Sequence, residues 1–268
     1  MRRDNLFWGT VLLVMGGLLL LDNLGIFNRL GINVWSLVWP TVIILLGVRI
    51  LWGTVSAGRA SGGEAVQIPI DGAEKAEIQL QHGAGRLRVG AGAKPGNLLE
   101  GTFGSGLDYQ VKRLGETLSV DMGVPSQGFM VFPWTWVPGK LDWTVHLNEN
   151  LDMALKLKTG ANETQLDLAG LQVTELKLQT GASSTMVTLP AKAGFTKGEI
   201  ESGVASLSVR VPQEVALRLR VEGGLSGIQV DTHRFPRSGG VYQSTDYDSA
   251  ANRIDLFIKT GVGSVDIR

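Results

Sequence analysis

The residues best suited to chemistry in this chain are its three histidines, His82, His146 and His233. None of the three has a His, Asp or Glu at the spacing that brings metal ligands together on one face of a helix. His82 and His146 lie in alternating, strand-like segments, where we expect an exposed or hydrogen-bonded imidazole. The histidines therefore indicate neither a metal site nor a catalytic centre.

Other short motifs are equally weak. Residues 83–85 (Gly-Ala-Gly) resemble half of a dinucleotide-binding fingerprint, but strand residues follow at once and the required strand–helix context is missing. Residues 246–248 (Asp-Tyr-Asp) lack the Gly and the terminal Glu of a calcium loop, so we expect a solvated turn. Residues 162–164 form a glycosylation sequon inside a repeat, which we discount. With no nucleophile elbow and no Walker loop, we expect a non-enzyme without cofactor.

Composition excludes further kinds of binding site and indicates the class of fold. The 268 residues suit one or two domains, and the formal net charge is zero, which gives no electrostatic reason to expect nucleic acid binding. The chain has no cysteine, so it can form neither disulfides nor thiolate zinc sites. Its 36 glycines, in a chain rich in Val, Leu and Ile, indicate many turns.

A repeat organises the second half of the chain. Residues 155–189 read LKLKTGANETQLDLAGLQVTELKLQTGASSTMVTL, in which Gly160 and Gly181 occupy equivalent places 21 residues apart. Taking a glycine as zero, apolar residues recur at positions −5, −3, +4 and +6, with few exceptions. Six glycines fit this frame, namely Gly83, Gly160, Gly181, Gly203, Gly224 and Gly261. A period of this size is the signature of a repeat architecture.

Each unit is predicted to be strand, tight turn, strand, with the glycine supplying positive φ at the turn. Alternate residues would line an apolar face, and the intervening basic residues would face water: Lys156, Lys158, Lys177, Arg210, Arg218 and Arg220. One unit cannot bury its apolar face alone, so we predict an all-β, β-solenoid-like stack that runs from Gly83 and closes at Gly261. Residues 234–251 would be a polar loop. A β-sandwich of hairpins is the alternative.

Two apolar segments precede the repeats. Residues 6–27 and 34–55 are long enough to cross a bilayer as a two-helix hairpin (residues 1–55), although a cleaved signal peptide is the alternative for the first. Basic residues flank the hairpin at both outer ends, which predicts that both termini and the β domain are cytoplasmic at a bacterial membrane. Residues 56–64 read as a flexible linker and residues 65–268 as the β domain.

An aromatic stretch interrupts the repeats. Within residues 94–150, four segments alternate as strands do (98–103, 107–114, 117–122 and 141–147), and GFMVFPWTWVPG occupies residues 128–139. This stretch is either a hairpin tip that caps the first repeat unit of the stack (each unit is one rung) or an exposed apolar patch for a partner or the membrane surface. The candidate partner contacts are Phe129, Phe132, Trp134 and Trp136.

These segments resemble a known family. WTVHLNENLDMALKLKTGANETQLDL (143–168), LQVTELKLQTGASSTMVTLP (171–190) and YDSAANRIDLFIKTGVGSVDIR (247–268) are similar to LiaF-like proteins with the toast-rack domain. Residues 76–90 and 98–122 resemble the start of that domain, and residues 5–55 resemble the transmembrane hairpin of the same proteins.

The resemblance implies a role rather than a reaction. Family members are described as cell-wall-active antibiotic response proteins, and one branch restrains the sensor kinase of an envelope-stress system. We therefore expect a membrane-anchored interaction protein that contacts lipid through residues 6–55 and binds a protein partner, such as a sensor kinase, with homo-oligomers also plausible at an open sheet edge. The alternative is an oligomeric scaffold or adhesin-like envelope protein.

Overall fold

The computed structural model describes residues 63–125 and 141–268. The expected spans 6–27 and 34–55, the linker as far as residue 62, and the aromatic residues Phe129, Phe132, Trp134 and Trp136 lie outside the described residues. Within the described part of the chain, no helix is long and apolar enough to cross a membrane.

All thirteen described strands belong to one sheet. In chain order they are β1 (Glu64–Pro69), β2 (Lys75–Ala91), β3 (Asn97–Phe103), β4 (Asp108–Leu114), β5 (Thr117–Gly123), β6 (Trp143–Leu147), β7 (Asp152–Asp167), β8 (Val173–Thr188), β9 (Phe195–Arg210), β10 (Val215–Val230), β11 (Arg237–Ser238), β12 (Val241–Gln243) and β13 (Asn252–Ile267). The predicted all-β class is confirmed, and β3 to β6 fall within two residues of the four strands expected between residues 94 and 150.

The six repeat strands stack in parallel, one rung on the next. Their order is β2–β7–β8–β9–β13–β10, with residues in register along each pair. The prediction that the stack closes at the Gly261 repeat is wrong, because β13 is inserted between β9 and β10 and β10 is the outermost rung. Because all rungs share one apolar frame, β13 can pair with β9 on one side and with β10 on the other.

The first rung, β2, is covered by two shorter strands. β5 pairs with its first part, Lys75–Gln81, and β6 pairs with its last part, Leu87–Ala91. Further strands add to these two in antiparallel pairs: β4 pairs with β5, β3 pairs with β6, and β1 pairs with β3. Together β5 and β6 occupy the place of one more rung that is interrupted at its middle.

The buried positions change parity at the repeat glycine. In β7, Met153, Leu155, Leu157 and Thr159 are buried before Gly160, and Asn162, Thr164 and Leu166 after it, so two successive outward residues mark the middle of the strand. A strand that keeps the same side inward across such a step bends there. The bend divides each rung into two arms, the first before the repeat glycine and the second after it. Buried residues from both sides of the bend, such as Leu157 and Leu166 of β7, belong to one hydrophobic cluster, so the inner faces of the two arms bury each other.

The six repeat glycines are not turn residues. Each lies inside a continuous strand of 16 or 17 residues, and none adopts the positive φ that the sequence led us to expect. They stack directly on one another instead. A Cβ atom on Gly181 would lie 3.0 Å from the carbonyl oxygen of Gly160, and one on Gly261 would lie 2.6 Å from that of Gly203. The glycines are therefore required for close backbone approach at the bend.

The predicted loop 234–251 contains structure of its own. β11 and β12 form a short antiparallel hairpin, and β12 pairs with Arg218 and Leu219 of β10. Phe235 is fully buried, and the Arg234 guanidinium donates to the carbonyl oxygens of Val211, Pro212 and Val215. The hairpin thus covers part of the outermost rung.

Candidate interaction surface

The described residues on either side of the aromatic stretch lie at the bend of the first rung. Gly123, the last residue of β5, pairs with Gln81, and Trp143, the first of β6, pairs with Leu87. Both described ends of the segment between β5 and β6 therefore flank the bend of β2. The predicted contact residues within it remain a prediction, since they lie outside the described residues.

A buried polar cluster lies at this bend. His82 is only 1% exposed, and its Nε2 donates to the carbonyl oxygen of Leu141 at 2.8 Å. Its Nδ1 accepts from the side-chain amide of Asn162 at 3.3 Å, and its ring lies 5.0 Å from that of Trp143. These contacts fix the neutral imidazole in its Nε2–H form.

Burial lowers the pKa of His82 below its ordinary value of 6.5, opposed by the hydrogen bond to Leu141 and by the charge of Asp142. The cluster joins Leu141, which follows the aromatic segment, to the first two rungs. This cluster was not identified from the sequence. The signal available was that His82 directly precedes a repeat glycine, as Thr159 and Thr180 do.

A column of hydroxyls runs along the inside of the bend. Thr159, Thr180, Ser202 and Thr260 are buried on successive rungs, and the Oγ atoms of the first three have no hydrogen-bond partner among the described residues. These residues also line a cleft of about 500 Å³. Because buried hydroxyls without partners are rare, the column suits ordered water.

The outward face of the first arm is a ladder of ion pairs. Lys156 bonds Glu77 of the rung before it, and Lys177 bonds Glu199 of the rung after it at 3.0 Å. Those hydrogen bonds raise the pKa of both lysines. The carboxylates neutralise the lysines, so this face is solvated, as the sequence predicted, and offers no basic stripe to an anion.

An apolar stripe follows the outside of the bend. The residue after each repeat glycine is Ala in β2, β7 and β8 but larger in the last three rungs, where Val204, Val262 and Leu225 lie side by side in register. Their exposed fractions are 61%, 47% and 83%. We call these three residues the corner stripe. It is the kind of exposed apolar patch that marks a contact surface, although the repeat frame shows only that each of the three residues follows a repeat glycine.

The described residues hold no cluster of three or more His, Cys, Asp or Glu side chains suited to a metal ion. Two contact surfaces are present within residues 63–125 and 141–268, namely the corner stripe and the open edge of the outermost rung.

Comparisons with known proteins agree with this architecture. The family model described as the N-terminal domain of toast_rack, DUF2154, matches residues 56–210, and the LiaI-LiaF-like transmembrane region matches residues 6–51. A crystal structure from Clostridium sporogenes, named as a candidate cell adhesion protein, is similar with a TM-score of 0.69 and 22% identity. The match covers 76% of this chain and 97% of that one, and at this identity it shows the fold alone.

No curated protein matches the chain. The transmembrane match indicates a membrane-anchored protein, and the toast-rack match covers more than half of the 268 residues. The chain therefore belongs to the toast-rack family of LiaF-like membrane proteins.

Proposed function

We propose that this protein is a regulatory or sensing component of a bacterial envelope-stress response, which acts by binding a protein partner such as a sensor kinase. The observation that carries the proposal is the corner stripe, an exposed apolar surface on a stack of rungs in a membrane-anchored chain. Rungs held in register by continuous hydrogen bonding keep the side chains of such a surface at fixed spacing, which lowers the entropy lost on binding.

The test is site-specific photo-crosslinking in native membranes. A photoreactive amino acid replaces Val262 of the corner stripe, and the matched control replaces Val111 of β4, whose exposed fraction of 43% is close to the 47% of Val262. We expect a membrane protein partner to be captured from Val262 and not from Val111. Equal capture from both positions, or capture of this chain alone, would contradict the proposal.

A functional readout complements the capture. Deleting the protein should change the output of an envelope-stress reporter when cells meet a cell-wall-active antibiotic. A Val262→Glu variant should behave like the deletion, because a charge in the stripe removes the apolar contact, whereas Val111→Glu should behave like the native protein. An unchanged reporter in the deletion strain would remove the regulatory role.

The second candidate is a scaffold or adhesin-like protein, favoured by the similarity to the candidate cell adhesion structure. Topology separates the two, since we propose a multi-pass cytoplasmic-membrane protein whose β domain faces the cytoplasm. A reporter fused after Arg268 that is active only in the cytoplasm would support the regulatory role. Activity only outside the membrane would favour the adhesin.

A further inference from the structure

The outermost rung ends in an open strand edge. β12 covers β10 only at Arg218 and Leu219, and no other described strand pairs with that side of β10. From Arg220 to Val230 the backbone on that side therefore has no strand partner among the described residues. An edge of this length can bind another strand through main-chain hydrogen bonds.

Unlike the other edges, this one carries little protection. β1 is short and ends at Pro69, and β4 carries Asp108, Lys112 and Arg113. By contrast, the last eight residues of β10 read GGLSGIQV, without a charge or a proline, and include Leu225 and the exposed Ile228. Exposed edge strands in monomeric proteins are normally protected by such residues, so the β10 edge is built to be occupied.

The opposite end of the stack cannot supply the occupant. β2 is already paired along both arms by β5 and β6, and these lead outward to the protected edges β4 and β1. Head-to-tail stacking of one copy on the next is therefore blocked. A second copy can add to the β10 edge only through its own β10 edge, which gives a closed pair with two-fold symmetry.

We propose that two copies of this chain pair through β10, antiparallel, with the two-fold axis between Gly224 and Leu225. This axis superposes the bends of the two copies. The residues before the bend of one β10 strand then pair with the residues after the bend of the other. It sets Val221 opposite Ile228 of the partner subunit, and both residues align with buried residues of β13. A shift by one residue would oppose inward to outward side chains, and a shift by two would separate the bends.

The charges and the free length of the edge fit this register. Glu222 lies opposite Gly227 of the partner subunit, and Arg220 lies opposite Gln229 of the partner subunit, so no like charges meet. The register extends to Arg220, directly beyond the residues that β12 covers. Anchoring in one membrane raises the effective concentration of the two edges, which offsets the small size of the contact. This pairing does not depend on the regulatory role proposed above.

The register is tested with cysteines, since the chain has none of its own. The double variant Glu222→Cys/Gly227→Cys places two cysteine pairs across the two-fold axis, and a Cβ atom on Gly227 would have no described atom within 4 Å. Under mild oxidation of membranes that contain the full chain, we expect a disulfide-linked dimer from the double variant. Each single variant should stay monomeric on a denaturing gel. Equal crosslinking of the single variants, or none in the double variant, overturns the proposal.

A second measurement tests the edge without cysteines. In the detergent-solubilised full chain, Leu225→Lys should convert a dimer to a monomer in sedimentation, because it places charges at the centre of the contact. The matched control is Leu114→Lys on β4, where the native side chain is 72% exposed, and it should leave the dimer intact. A monomeric native chain, or a dimer that survives Leu225→Lys, overturns the proposal.

Discussion

Replacing Gly160 by alanine should unfold the stack more readily. Its Cβ atom would meet the carbonyl oxygen of Gly83 well inside the 3.0 Å below which real Cβ contacts are not found, the tightest approach among the six repeat glycines. The obstacle is main chain, so it cannot rotate away as a side chain would. The rungs β2 and β7 must separate at the bend.

Two opposing effects set the magnitude. Overpacking of this kind costs about 1–3 kcal/mol, whereas replacing Gly by Ala restricts the unfolded chain and returns about 0.4–1 kcal/mol. We therefore expect Gly160→Ala to lower the free energy of unfolding by about 1–2 kcal/mol. Gly83 begins the column, and no atom of the described residues lies within 4 Å of a Cβ atom placed there. Gly83→Ala should raise the free energy of unfolding by about 0.4–1 kcal/mol.

The assay is chemical denaturation of the full chain in detergent, followed by the β-sheet circular dichroism signal. The two alanine variants differ in the sign of their effect, and Gly203→Ala should fall between them because its Cβ atom would lie 3.1 Å from the nearest carbonyl oxygen. Equal destabilisation by Gly83→Ala and Gly160→Ala would refute the reasoning. It would show that the glycines are needed for backbone freedom rather than for close approach.

Three further predictions concern the interior. The free energy of unfolding should fall as the pH drops below about 6.5, because the unfolded chain then binds a proton that the buried, neutral His82 resists, and His82→Gln should flatten this dependence. Thr180→Val should lower the free energy of unfolding by about 1 kcal/mol, since it removes a hydroxyl of the column that suits ordered water. Phe235→Ala should lower it by about 3–5 kcal/mol, because Phe235 is fully buried in the hydrophobic core. Denaturation curves, at several pH values for His82, check all three.

Two of the three have a matched control. Thr196→Val removes a hydroxyl that donates to the carbonyl oxygen of Val173 at 2.7 Å, so it should cost about 1 kcal/mol; an equal loss from Thr180→Val would show that water fills the hydroxyl column. Phe195→Ala, at an exposed side chain, should change little.

The repeat frame predicted much of the architecture because burial acts locally. Leu155 and Leu157 alternate with lysines, and that pattern alone requires a strand with one buried side. The same frame also contained the bend, since its apolar positions are odd before the glycine and even after it. We interpreted Gly160 as a turn residue because glycine often supplies positive φ, whereas here its missing Cβ atom admits the backbone of the next rung.

The remaining features depend on contacts distant in the chain. The repeat at Gly261 fits the frame as well as the repeat at Gly224, so no local pattern fixes the order β9–β13–β10. The burial of His82 depends on Leu141, which follows the aromatic segment. The corner stripe depends on which rungs are neighbours, because Val204 and Leu225 form one surface only when Val262 lies between them.

The insertion of β13 also orders events during synthesis. β10 leaves the ribosome before β13, yet it joins the stack only through β13. Until β13 has been translated, both β9 and β10 lack the strand with which they pair in the complete chain. A chain that stops within residues 231–251 would therefore keep two uncovered strands where the complete chain has a closed ladder, which makes the β domain sensitive to premature termination.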